Sequence, residues 1–200
     1  LEEYYKKVSI NQLLISFVLF MIIWINIDAL YHYMPNGQIY EKGKYVVLFI
    51  GLAKIVDAAT SLNAIIMSYS KYYYYSISFV ILLAFITVIN NMTFIPIWGI
   101  NGSAFATFLS ILLYNLVMIG FVRIKYKIQP FSMKTIWAIL ISLASIGVIY
   151  ILPSTGNYIV TSAYKTSIAL IIFLVLVIKS NISEDLNSVF INILKVRSME

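Results

Sequence analysis

Lys54, Asp57 and Ser61 stand in the stretch GLAKIVDAATSLN, residues 51–63, with YVVLFI before it and AIIMSY after it. A lysine and an aspartate three residues apart share one face of a helix and can pair. In an apolar segment each charge costs about 2.5–3.5 kcal/mol at a bilayer centre on insertion scales, so neither is there by neglect. On a helical wheel Gly51, Ala58, Ser61 and Ser68 fall on the same small, polar face, while Asn63 points elsewhere. Two readings follow. In the first, the pair is an internal salt bridge that fixes helix register. In the second it lines a substrate cavity, with Lys54 attracting an anionic group of the substrate. Asp57 then tunes that lysine or carries a coupling cation, H+ or Na+.

The elements that must position these residues are membrane spans. Hydrophobic residues make up 62% of the chain, charged residues 11%, and the mean hydropathy is +0.92. A 200-residue water-soluble domain cannot hide that much apolar surface. From Tyr72 to Val122 no residue is charged, a run that needs two crossings joined by a tight turn. About 20 apolar residues cross a bilayer. That length predicts spans over Val8–Asp28, Tyr45–Tyr69, Tyr74–Ile95, Gly99–Val122, Thr135–Leu152 and Ile159–Ile178. All six are expected to be helices, because a spanning backbone must satisfy itself and barrel-type alternation is absent. The fold class expected is thus all-α, a six-span bundle over residues 1–180. After Lys179, Ile182, Leu186, Val189, Phe190 and Ile193 recur at helical spacing. Residues 181–200 therefore read as a short amphipathic helix on the cytoplasmic surface.

Charge sets the expected orientation. The segments before span one, after spans two and four, and after span six carry ten basic residues, against three on the opposite side. Basic residues stay inside, which puts both ends of the segment in the cytoplasm. The net charge of +6 is spread along the chain and gives no nucleic-acid footprint. Cysteine is absent, so thiolate metal sites are excluded, and no cofactor is expected. The chain starts with Leu, and LEEYYKKVS is no signal peptide; it reads as a piece of a longer protein.

Smaller signals have simpler readings. Asp28 reads as interfacial and His32 as a member of the aromatic belt. Lys165 reads as snorkelling outward, and Asn90 and Asn91 as caps at the end of span three. Pro96 is expected to stop span three, and Gly99 and Gly102 to let the backbone reverse. Span four then opens with Gly99, Ser103 and Thr107 on one line and Gly102, Ala106 and Ser110 on the next. Small residues at this spacing let helices approach closely in lipid.

The turn NMTFIPIWGINGSAFAT also resembles the polysaccharide-flippase branch of the MOP superfamily, which tends to carry N-x-x-L-I-P-x-x-G-I-x-G-A-A-x-A-T. Ser103 replaces an alanine of that pattern. LAKIVDAATSLNAIIMSYSKYYY and YKIQPFSMK look like the segments on either side, so the likeness runs from Leu1 to about Lys179. It implies the last six of fourteen helices, part of a C-terminal lobe plus the final helix pair. It also implies a bacterial inner-membrane flippase for a polyprenyl-pyrophosphate-linked oligosaccharide, working by alternating access with no covalent chemistry. The related multidrug exporters of the MATE branch are the alternative. A membrane glycan polymerase or ligase fits less well, since the sizeable outer loops offer Glu41 alone among carboxylates.

Overall fold

The computed structural model describes residues 2–188. Seven helices are defined among them: α1 (Glu2–Tyr33), α2 (Gly37–Glu41), α3 (Lys44–Thr60), α4 (Leu62–Ser68), α5 (Tyr73–Tyr126), α6 (Met133–Ile151) and α7 (Tyr158–Lys179). No strand occurs among the described residues. Four of the helices are long and apolar enough to cross a membrane, and α3 with α4 make a fifth if the bent pair is one crossing. Their surfaces carry many exposed large apolar side chains, among them Ile81, Phe85, Leu116 and Leu143. Such a surface suits lipid and not water.

Each helix end has a local cause. Glu2 and Glu3 favour the start of α1, and Glu2 pairs with Lys6 one turn on at 2.5 Å. That support carries α1 to the N-terminal side of the expected Val8, and at its other end the helix runs past Asp28 to Tyr33. Ser132 and Thr135 close a capping box at the start of α6. At the start of α7, Asn157 Oδ1 accepts from the backbone N–H groups of Ile159 and Val160, at 3.0 and 3.4 Å. Between the expected spans Val8–Asp28 and Tyr45–Tyr69 the chain is not wholly irregular, because α2 forms there.

The 54-residue α5 would be about 80 Å long if straight, far more than a bilayer core. It is not straight. At Gly99, φ 57° and ψ −129° reverse the chain. Contacts on either side pair symmetrically about that residue: Phe94 with Phe105 (4.9 Å between ring centroids), Phe79 with Phe121 (5.3 Å) and Tyr72 with Tyr126 (5.9 Å). The run is a helical hairpin. Pro96 does not end the first arm, which continues to Trp98. In the last turn proline forfeits a single backbone bond, whereas the positive φ at Gly99 is what no helix can accommodate.

The helices pack in a row. The α5 hairpin lies on α3 and α4, α3 lies on α1, and α1 meets α6 and α7. Two apolar cores result. Leu14, Phe17, Met21, Ile55, Ile141 and Phe173 belong to the larger, and Tyr5, Met67, Met118 and Val122 to the smaller. In lipid these contacts gain little from leaving water, and close packing and buried hydrogen bonds carry the association.

The span expected over Tyr45–Tyr69 is broken. It bends by 47° between α3 and α4. At the break the Thr60 hydroxyl lies 2.7 Å from the carbonyl of Val56, four residues back, a contact that competes with the helix ladder. Past α7, the chain does not simply rest on the surface. Ile182 and Ser183 are buried, and Ser183 Oγ donates to Asn11 Oδ1 at 2.7 Å. A helical turn begins at Glu184. The remainder of the expected amphipathic helix, residues 189–200, lies outside the described residues.

Candidate functional site

Lys54 lies ten residues into α3, about 15 Å from the helix start at 1.5 Å per residue. That is close to half the thickness of a bilayer core. The face it occupies is open. Lys54 and Asp57 are both exposed, while Ala53, Ile55, Ala59 and Thr60 on the other sides of the helix are buried. No ion pair joins Lys54 to Asp57 among the described residues, although their spacing permits one. The register-fixing salt bridge is therefore not formed here. Each charge instead faces outward from the helix row.

Below them the bend is tied to its neighbours by polar side chains. Ser61, at the break, is half-buried and its hydroxyl donates to Gln12 Oε1 of α1. Thr60 Oγ1 also lies 2.6 Å from Asn115 Oδ1 in the second arm of α5, so its single proton is shared between Asn115 and Val56. Asn63 points away from Lys54, as the wheel implies, and accepts a hydrogen bond from the Tyr5 hydroxyl. Ser61 is thus at the edge of the charged face, engaged with α1. Gly51 departs from the expected face. A Cβ there would collide with the ring of Phe20, so this glycine serves close approach to α1.

The turn residues occupy the other end of the hairpin. Pro96 and Gly99 are exposed, Gly102 and Ala106 are buried, and Ser103 is half-buried. A Cβ on Gly102 would collide with the carbonyl of Phe94, which shows how tightly the two arms close. Asn90 does not cap anything. It lies within the first arm, and its amide donates to Ser110 Oγ across the hairpin at 2.9 Å. The cap reading fails because the arm extends two turns past it.

The charged ends segregate. Lys7 pairs with Asp185 at 2.7 Å and Lys134 with Glu184 at 3.4 Å at one end of the bundle. Lys71 and Lys125 both stand over the Tyr72 ring, at 5.1 and 5.5 Å. At the other end Asp28 pairs with Lys44 at 2.5 Å, His32 stacks on Tyr158 at 4.0 Å, and Asn101 donates to the carbonyl of Lys42 at 3.3 Å. Asp28, read as interfacial, is thus paired with Lys44 at this end of the bundle. Lys165, expected to snorkel, lines a cleft beside this pair. The pair and the cleft escaped sequence reading because their residues come from α1, α3, α6 and α7.

Compared with known protein families, curated proteins and solved structures, the chain matches none.

Proposed function

We propose that the chain is the substrate-facing part of a multi-pass transporter that moves a lipid-linked oligosaccharide across a membrane without covalent chemistry. The observation that carries this reading is the open Lys54–Asp57 face at mid-span. Two unpaired charges facing lipid would cost about 5–7 kcal/mol together on insertion scales, so the face meets water or a polar substrate. A water-filled passage at the midplane, beside a bent helix, is how alternating-access transporters hold polar cargo. Lys54 would attract the pyrophosphate or an acidic sugar, and Asp57 would balance it or bind a coupling cation. The resemblance of the residue 91–107 turn to polysaccharide flippases supports the same cargo class.

On this reading the hairpin contributes two crossings and the bent pair one, giving six spans. The basic end faces the cytoplasm of a bacterial inner membrane. The charged face would look toward the opposing bundle of the transporter.

Reconstitution tests the reading. Proteoliposomes loaded with a fluorescent polyprenyl-pyrophosphate oligosaccharide should show protein-dependent movement of the label between leaflets. Efflux of cationic dyes with no movement of the glycolipid would favour a multidrug exporter instead.

A further inference from the structure

At the end of the bundle where Asp28 meets Lys44, a cleft of about 420 Å³ opens between α1, α3, α6 and α7. A second cleft, of about 930 Å³, shares Asp28, Lys44 and Tyr158 with it and continues beneath α2. The first is of the size that holds small ligands. Its walls are built rather than incidental. Trp24 Nε1 donates to the Tyr150 hydroxyl at 3.1 Å, Lys44 Nζ stands 5.4 Å from the centre of the Trp24 ring, and Tyr158 is fixed by its stack on His32.

In the first cleft the charges of the walls do not cancel, the carboxylate of Glu41 lining the second. Asp28 neutralises Lys44 at 2.5 Å, but Lys165 has no carboxylate within ion-pair distance among the described residues. It is half-buried on α7, with Ser154 and Thr161 lining the same space, the Thr161 hydroxyl already hydrogen-bonded to that of Thr155 at 2.9 Å. A half-buried ammonium favours an anion. The Ser154 hydroxyl suits a ligand with hydroxyls of its own, and the exposed rings of Tyr150 and Tyr158 suit its aliphatic face.

We infer that this cleft binds an anionic, hydroxyl-rich group on Lys165, either the acidic sugar of a saccharide or the glycerophosphate headgroup of a lipid. The site is separate from the Lys54–Asp57 face and stands without the transporter reading.

Trp24 supplies the readout. With Trp98→Phe and Trp137→Phe it is the remaining tryptophan, so its emission in nanodiscs reports the cleft. Tri-galacturonate added to zwitterionic phosphatidylcholine discs should shift that emission saturably, and neutral maltotriose should not. Lys165→Gln should weaken the response about tenfold, the worth of a charge-assisted hydrogen bond, while Lys165→Arg stays within about threefold. Retention by the arginine variant separates a lost charge from a lost fold. In phosphatidylglycerol discs, a Lys165-dependent shift present before any sugar, together with weaker sugar binding, would assign the anion to the lipid headgroup. A response equal for acidic and neutral sugars, or unchanged in Lys165→Gln in both kinds of disc, would overturn the inference.

Discussion

The Thr60 hydroxyl and the Asn115 side-chain oxygen lie 2.6 Å apart, with both residues buried, where the bent span meets the second arm of the hairpin. This contact joins the break in the helix to the packing beside it. Thr60→Val and Asn115→Leu should each lower stability. A double-mutant cycle on thermal unfolding in detergent should give a coupling of about 0.6 kcal/mol, the average for hydrogen bonds between membrane helices, and at most about 1.7 kcal/mol. Additive effects would mean the two groups do not interact.

The hairpin makes a steric prediction. Gly102→Leu and Ala106→Leu should each destabilise by about 1–3 kcal/mol or more, because the arms leave no room for added carbons. Adding similar volume at the half-buried Leu112, for example Leu112→Trp, should be better tolerated. Retained monodisperse protein after heating is the measurement. Equal tolerance at the three positions would contradict the close packing seen at the carbonyl of Phe94.

The orientation can be read by chemistry, since the chain has no cysteine. Lys71→Cys and Lys125→Cys should be shielded from an impermeant thiol reagent added to intact cells, and Lys42→Cys and Gly156→Cys should react. Labelling of Lys71→Cys from outside would reverse the assignment.

The docked tail predicts an acid response. Lys7 donates to Asp185 and holds its carboxyl below the ordinary value of 3.8, with Asn11 assisting and desolvation opposing. A depressed folded pKa contributes docking stability that is present above the unfolded value and lost as pH falls through the folded one. A spin label at Ser188→Cys should thus be less mobile at about pH 5 than in acid well below the ordinary carboxylate value, where Asp185 is protonated. Adding Lys7→Gln should free it already at the higher pH. A label equally mobile with and without Lys7 would show that this contact does not hold the tail.

Much of the helical layout was legible because a bilayer imposes length and apolarity on every span. The runs ending near Val122, Leu152 and Ile178 show this directly. The bend was not legible, since ATSLN contains neither proline nor glycine. Pro96 misled because its position relative to the end of the arm, not its presence, decides its effect. Asn90 could be placed only once the hairpin was known to bring residues 90 and 110 together. For the charged face, spacing put Lys54 and Asp57 on one side of a helix, but spacing cannot say whether two side chains meet. The Asp28–Lys44 cleft was invisible for a different reason: its walls are distant in sequence and nearly every one is an ordinary interfacial residue.

Transport by the Lys54→Met variant, alone and combined with Asp57→Leu, decides whether Lys54 draws an anionic substrate into a passage. The measurement is protein-dependent movement of the labelled glycolipid in proteoliposomes, normalised to the amount of folded protein. If Lys54 draws an anionic substrate into a passage, the single variant should lose transport while folding normally. The double variant should not regain it, because the attraction for the substrate stays lost. If the two charges only balance each other, the single variant leaves Asp57 uncompensated and the double variant recovers. We predict loss without rescue; transport restored in the double variant would contradict the account.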